Sequence, residues 1–392
     1  MKPQKISDRI DYVGAVDWDR RLFDGLIPLP DGTSYNSYLV RGSAKTVLID
    51  TVEPAKKDIL FENLRGAGPI HYIVANHAEQ DHSGLLPEIL ALHPGAKVLC
   101  SAKAKPMLVD HLHLDESVIE VVADGRTLSL GDRTLEFIMT PWVHWPETMS
   151  TYLREEKVLF SCDFFGSHLA QSDVFVTDEA GVYEPAKRYY AELMLPFRAT
   201  IRKNLERLAG YEIALIAPSH GPVYRRPAFI LEAYRDWSSE EPKNGVAIPY
   251  TSMHGSTEIM VRRLVEALAG HGIAACPINM AEADIGKLAV DLIDAATVVF
   301  GASAVHVGPH PKVAFAALLA NALKPKTRFA AVIGSFGWGQ KIAEQLIALL
   351  PNLKVEFLPP VICRGLPRPA DLEAVDALAA AIAAKHRGLG LL

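Results

Sequence analysis

HAEQDHSG, residues 77–84, sets two histidines, a glutamate and an aspartate within six positions, directly behind the apolar run HYIVAN, residues 71–76. A short apolar run closed by polar residues reads as a buried strand. Ligating side chains just past a strand end lie at a sheet edge, where other strands can deliver more of them. His77, Glu79 and Asp81 are two apart, a spacing that in extended or turn backbone aims side chains at a common side. Asp81 and His82 are adjacent, which suits two metal ions better than one, because a single tetrahedral site takes only three or four ligands.

Further donors follow strand-like runs downstream. His144 follows LEFIMTPWV (135–143), Asp163 follows KVLFSC (157–162), and His220 follows YEIALIAPS (211–219). Together, His77, His82, His144 and His220 with Glu79, Asp81 and Asp163 can hold two metals with a bridging carboxylate. A single histidine at a strand end is ordinary. Three carboxylates in one buried cluster without counter-ions are costly. His93, His111 and His113 lack a ligand-rich context and read as surface or packing residues. No serine or cysteine motif suggests a nucleophile.

The 392 residues suggest two domains, and 49% hydrophobic residues suffice for full cores. The formal charge is -6 with acidic and basic residues mixed, so nucleic acid and anionic membranes are not expected partners. No apolar span is long enough for a membrane helix, and the opening MKPQKISDRIDYVG lacks a signal-peptide core. Cys100, Cys162, Cys276 and Cys363 form no CxxC pair and read as core thiols. A soluble cytoplasmic protein is expected.

Residues 1–240 mix short strands, among them SYNSYLV, KTVLIDTV and TYLREEKVLFSCD, with helices. Strand pairs precede and separate the helices, which predicts a layered α/β arrangement with mixed sheets. The charged EAYRDWSSEEPKNG (232–245) reads as a helix end running into a linker. Over 246–392 five apolar strands alternate with five helices, predicting a doubly wound parallel sheet.

Three loops of that second domain fall on the carboxyl edge of its sheet. The first carries Ser252, Met253, His254, Gly255, Ser256 and Thr257 between a strand and a helix. Its backbone N–H groups at the helix start favour a phosphate, although a Ser/Thr-rich turn also serves simply as a helix cap. The second holds Ala302, Ser303, Ala304, Val305 and His306; the third holds Ser335, Phe336, Gly337, Trp338 and Gly339. Ligands of doubly wound folds bind at this edge. The loops resemble those of flavodoxin, which bind FMN, and Phe336 and Trp338 are candidates for packing on its ring.

The first domain resembles the metallo-β-lactamase superfamily, whose usual signature is HxHxDH. Glu79 stands where the second histidine would be, and that oxygen donor shifts the set toward non-heme iron. HxExDH followed by PWVHWPETM (141–149), LFSCDFFGSH (159–168) and APSHG (217–221), with a flavodoxin-like domain behind, resembles the flavodiiron proteins over nearly the whole chain. The resemblance implies a metallo-β-lactamase-like αββα sandwich, then a flavodoxin-like doubly wound sheet. It implies one iron on His77, Glu79 and His144, another on Asp81 and His220, and Asp163 between them. It leaves open whether His82 binds iron or supplies protons. Two departures stand out: Asp24 in Phe23-Asp24-Gly25, where the family usually has histidine, and His306 in the second flavin loop.

The function so implied is four-electron reduction of dioxygen to water, reduction of nitric oxide to nitrous oxide, or both, with FMN feeding a diiron site. Oxygen is the expected main substrate; Asp24, Trp142, Trp145, Phe165 and His168 are the candidates for setting that choice. The implied partners are an external donor, rubredoxin or another small redox protein or a reduced deazaflavin, and a second copy in a head-to-tail homodimer or a dimer of dimers. The alternative is a dinuclear hydrolase acting through metal-bound hydroxide.

Overall fold

The computed structural model describes residues 2–392. The chain folds into two compact units, one ending at Ser238 and one spanning Ser239–Leu392. Among the described residues no helix is long and apolar enough to cross a membrane.

The first unit contains two mixed sheets. One has seven strands and runs through Tyr38–Arg41, Thr46–Ile49, Tyr72–Val74 and Lys97–Cys100 at its centre. The other has five strands, of which Thr134–Met139, Met149–Leu153, Val158–Cys162 and Leu215–Pro218 are consecutive neighbours. Alternating side chains explain why the central strands read as unbroken apolar runs. Val47 and Ile49 join Leu135, Phe137 and Phe160 in the core between the sheets. Leu48, between them in sequence, turns outward to the helix layer with Leu60, Leu86 and Leu108.

TYLREEKVLFSCD is not one strand. Arg154–Lys157 turn the chain, and Met149–Leu153 pairs antiparallel with Val158–Cys162. Four charged residues in a row have nothing to pair with inside a core, so the chain turns there at the surface.

In the second unit the strands Lys243–Tyr250, Ala274–Asn279, Ala295–Val305, Phe329–Phe336 and Glu356–Phe357 form a parallel sheet in the spatial order second, first, third, fourth, fifth. This is the flavodoxin-like order, with its crevice beside the first and third strands. The fifth strand is split: Pro359-Pro360 interrupts the ladder, and Val361–Arg364 rejoins the same neighbour. The third strand runs past the sheet to Val305 and folds back in a short hairpin onto Gly308–Pro309.

Candidate metal centre and flavin pocket

All seven sequence-predicted ligands converge in the first unit. His77 leaves the strand Tyr72–Val74 after three residues, while Asp81 and His82 lie in a one-turn helix, Gln80–Ser83. Asp50, at the end of the neighbouring strand, anchors the entry of this segment: its carboxylate accepts from the Asn76 backbone N–H at 2.8 Å and from the Asn76 side chain at 2.9 Å. Thr51 anchors the exit, donating its N–H and hydroxyl to the His82 carbonyl at 2.7 and 2.8 Å. His220 follows Leu215–Pro218, where Asn36 Nδ2 donates to the carbonyls of Pro218 and Gly221. Gly221 has φ +76°, and a Cβ there would lie 2.1 Å from Ser167 Oγ, so glycine is required.

The donor atoms divide into two sets. His77 Nε2 and His144 Nε2 lie 3.0 and 3.1 Å from Glu79 Oε2. His82 Nε2 lies 3.3 Å from Asp81 Oδ1, and His220 Nε2 lies 3.2 Å from Asp81 Oδ2. Asp163 stands between the sets. Its Oδ2 is 3.3 Å from His144 and 3.6 Å from His77, while its Oδ1 is 3.1 Å from His82 and 3.4 Å from His220. Each half can hold one ion, with one oxygen of Asp163 turned to each.

In the second unit, Ser252, Met253, His254, Ser256, Ser303, Ala304, Ser335, Phe336, Gly337, Trp338 and Gly365 line a cavity of about 260 Å³ at the carboxyl edge of the sheet. The 15-residue helix Ser256–Gly270 points its N-terminus there, entered through Gly255 at φ +86°. Ser252 also serves as a cap, accepting from the Glu258 N–H at 3.2 Å. The other predicted flavin residues stand behind or beside the cavity. Thr257 is buried and pairs with Ser335 at 2.9 Å, Ala302 is buried in its strand, Val305 and exposed His306 form the hairpin end, and Gly339 lies against Val307.

Residues 33–221 match the family model described as ODP family beta lactamase. The chain is 35% identical to the nitric oxide reductase of Moorella thermoacetica, over 98% of this chain and 99% of that protein. The chain belongs to the flavodiiron proteins. Its structure superposes on rubredoxin oxygen:oxidoreductase from Desulfovibrio gigas with a TM-score of 0.96, at 31% identity and covering 100% of both chains. It superposes on the flavodiiron protein from Giardia intestinalis with a TM-score of 0.92, at 28% identity, covering 99% of this chain and 98% of that one. The protein is an oxidoreductase with a diiron centre supplied with electrons by FMN, and the hydrolase alternative falls away.

The site's electrostatics fit two cations. Both oxygens of Asp81, Oδ1 of Asp163 and Nε2 of His82 are buried without a hydrogen-bond partner in the protein, an arrangement that a metal resolves. Burial alone would push the imidazoles of His77, His82 and His144 down, yet the carboxylates facing them win and raise each to about 10. Glu79 and Asp163 are correspondingly held below the usual carboxylate range against the burial that opposes it. The cavity of the second unit fits a flavin on different grounds: Ser303, which lines it, has its Oγ buried without a protein partner.

Around the metal site, Phe23 packs on the rings of His168 and His220 at 5.1 and 6.2 Å. Solvent reaches Asp24 beside it, and its carboxyl is pushed up to about 6, first by the protein atoms around it and then by Glu79 and Asp81. His168 is buried beside Thr33 Oγ1 at 2.9 Å and held well below the usual imidazole range by burial and by His220. Trp145 meets His77 edge-on at 5.0 Å, whereas Trp142 is 41% exposed and stacks on Phe197. Phe165 is buried against Phe164 and Tyr234.

Sequence reading missed Asp50, Ser34 and Glu147 at the metal centre. Asp50 and Glu147 each carried a signal: a carboxylate at the end of an apolar strand or inside a ligand loop. Ser34 carried none: its backbone carbonyl accepts from His220 Nδ1 at 2.7 Å and its Oγ accepts from the Gly221 N–H at 2.8 Å.

Proposed function

We propose that this flavodiiron protein reduces dioxygen to water as its main reaction, with residues 1–240 as the diiron domain and 246–392 as the FMN domain. The observation that carries the dinuclear part of the reading is the division of Asp163, one oxygen toward each ligand set. His77, Glu79 and His144 would hold one iron and Asp81, His82 and His220 the other, with one oxygen of Asp163 turned toward each set. The position of His82 Nε2 between Asp81 and Asp163 supports a ligand role over that of a proton source. When bound, the irons and FMN store and pass electrons to the gas. The chain's own residues hold the donors rigid and place aromatic rings around the site.

Oxygen is favoured by the full-length superposition on rubredoxin oxygen:oxidoreductase. The identity to a nitric oxide reductase supports nitric oxide as a second substrate. The donor is a small separate redox protein of the rubredoxin kind, with reduced deazaflavin as the alternative, and the enzyme works in the cytoplasm. A head-to-tail homodimer completes the electron path. Each unit surrounds its site with exposed apolar side chains that a second copy would cover: Leu22, Leu26 and Trp142 in the first, Met253, Trp338 and Leu366 in the second. Gas-electrode turnover with one donor, aerobic and anaerobic, tests the substrate. Water with little released peroxide is expected, and a much higher kcat/KM for nitric oxide would reverse the preference.

A further inference from the structure

We infer that Glu147 makes the two halves of the metal centre unequal, binding the ion of the His77 half more tightly than its neighbour; this rests on the dinuclear reading. Glu147 is buried on the loop that also carries His144. Its Oε1 lies 2.6 Å from His77 Nδ1 and accepts from the Ala78 N–H at 3.1 Å. Ser101 Oγ donates to the Glu147 carbonyl at 2.6 Å and fixes the backbone. One loop therefore supplies a donor to the centre and the outer partner of a donor from another loop.

In the other half, His220 has no such anion on its matching atom. His220 Nδ1 donates to the Ser34 carbonyl at 2.7 Å, a neutral acceptor. A carboxylate behind an imidazole N–H draws on that proton and raises the basicity of the opposite nitrogen, strengthening its bond to a metal. His77 Nε2, which faces Glu79 and Asp163, is thereby the stronger donor of the pair. Glu147 Oε2 is buried without a hydrogen-bond partner in the protein. Glu147 acts through His77, as a positioning residue.

The test is anaerobic Co(II) titration of the metal-stripped, FMN-loaded protein, followed by its visible spectrum. Wild type should bind two ions in two separable steps. Glu147→Gln keeps an acceptor for His77 Nδ1 but removes the charge. It should weaken the tighter step by about 10- to 100-fold and leave the weaker step and the flavin content unchanged. Glu147→Asp should recover part of the loss. If E147Q does not fold, Ser101→Ala, which frees the Glu147 backbone, should shift the same step by less. Two indistinguishable steps in wild type, an unchanged first step in E147Q, or equal weakening of both steps would overturn the inference. Fewer than two ions bound by wild type would instead overturn the dinuclear reading beneath it.

Discussion

The metal centre and the flavin pocket are built from opposite materials. The first is a cluster of buried charged and imidazole side chains on a braced backbone, with Asp50 and Thr51 holding the two ends of the His77–His82 segment. The second is a surface cavity of small hydroxyls, glycine and a helix N-terminus, flanked by Trp338 at 78% exposure. The chemistry of the guests explains the contrast. Metal ions need anionic and imidazole donors at fixed positions, and such donors are costly to bury unless ions or protons offset their charge. A flavin brings its own charge and its own apolar ring, so backbone N–H groups and small side chains suffice.

The sharpest way to break this comparison is Asp163→Ala. It removes the one group shared by both ligand sets, so iron content and gas consumption should fall by more than the ~100-fold typical of losing an outer partner. Flavin content should not change. Loss of FMN along with iron would show that the two sites are not independent. Gly221→Ala strikes the scaffold instead: left-handed backbone and a 2.1 Å approach to Ser167 Oγ should destabilise the first unit by about 2–4 kcal/mol in thermal or denaturant unfolding.

How much of this was legible in the sequence follows from the same contrast. Metal ligands are chemically conspicuous, and each of the seven stands just past or close behind an apolar strand, so the convergence could be read before the sheets were known. Which ligand each support would meet could not be read. Glu147 lies only three residues from His144, yet its partner is His77, and only folding brings them to 2.6 Å. Ser34 serves through its backbone carbonyl and through its Oγ, which meets Gly221 only in the fold. In the second unit, Pro359-Pro360 splits the fifth strand, and Val361–Arg364 was hidden as a strand. The charged turn at Arg154–Lys157 was hidden for the opposite reason: apolar runs on both sides made one strand out of a hairpin.

A pH series on the metal-stripped protein sharpens the electrostatic half of the comparison. His77, His82 and His144 are raised from 6.5 to about 10. Their protonated, carboxylate-paired forms therefore stabilise the metal-free fold fully below pH 6.5, and that contribution is lost as pH rises through about 10. Metal binding requires neutral imidazoles and should strengthen over the same window. Thermal unfolding should show the metal-free Tm falling from pH 6.5 to 10 while the increment on adding Co(II) grows. A metal-free Tm that rises across that window would contradict the assignment. The smallest effect belongs to the flavin side: Trp338→Ala should weaken FMN binding only about 3- to 10-fold, read by fluorescence titration, and leave iron content unchanged.

The central claim is that one chain carries two irons and one FMN, in sites of these two kinds. Anaerobic isolation with elemental analysis and flavin extraction tests it most directly. Two irons and one FMN per chain are the predicted result. Zinc filling both halves of the metal centre, with no activity dependent on iron, would contradict it.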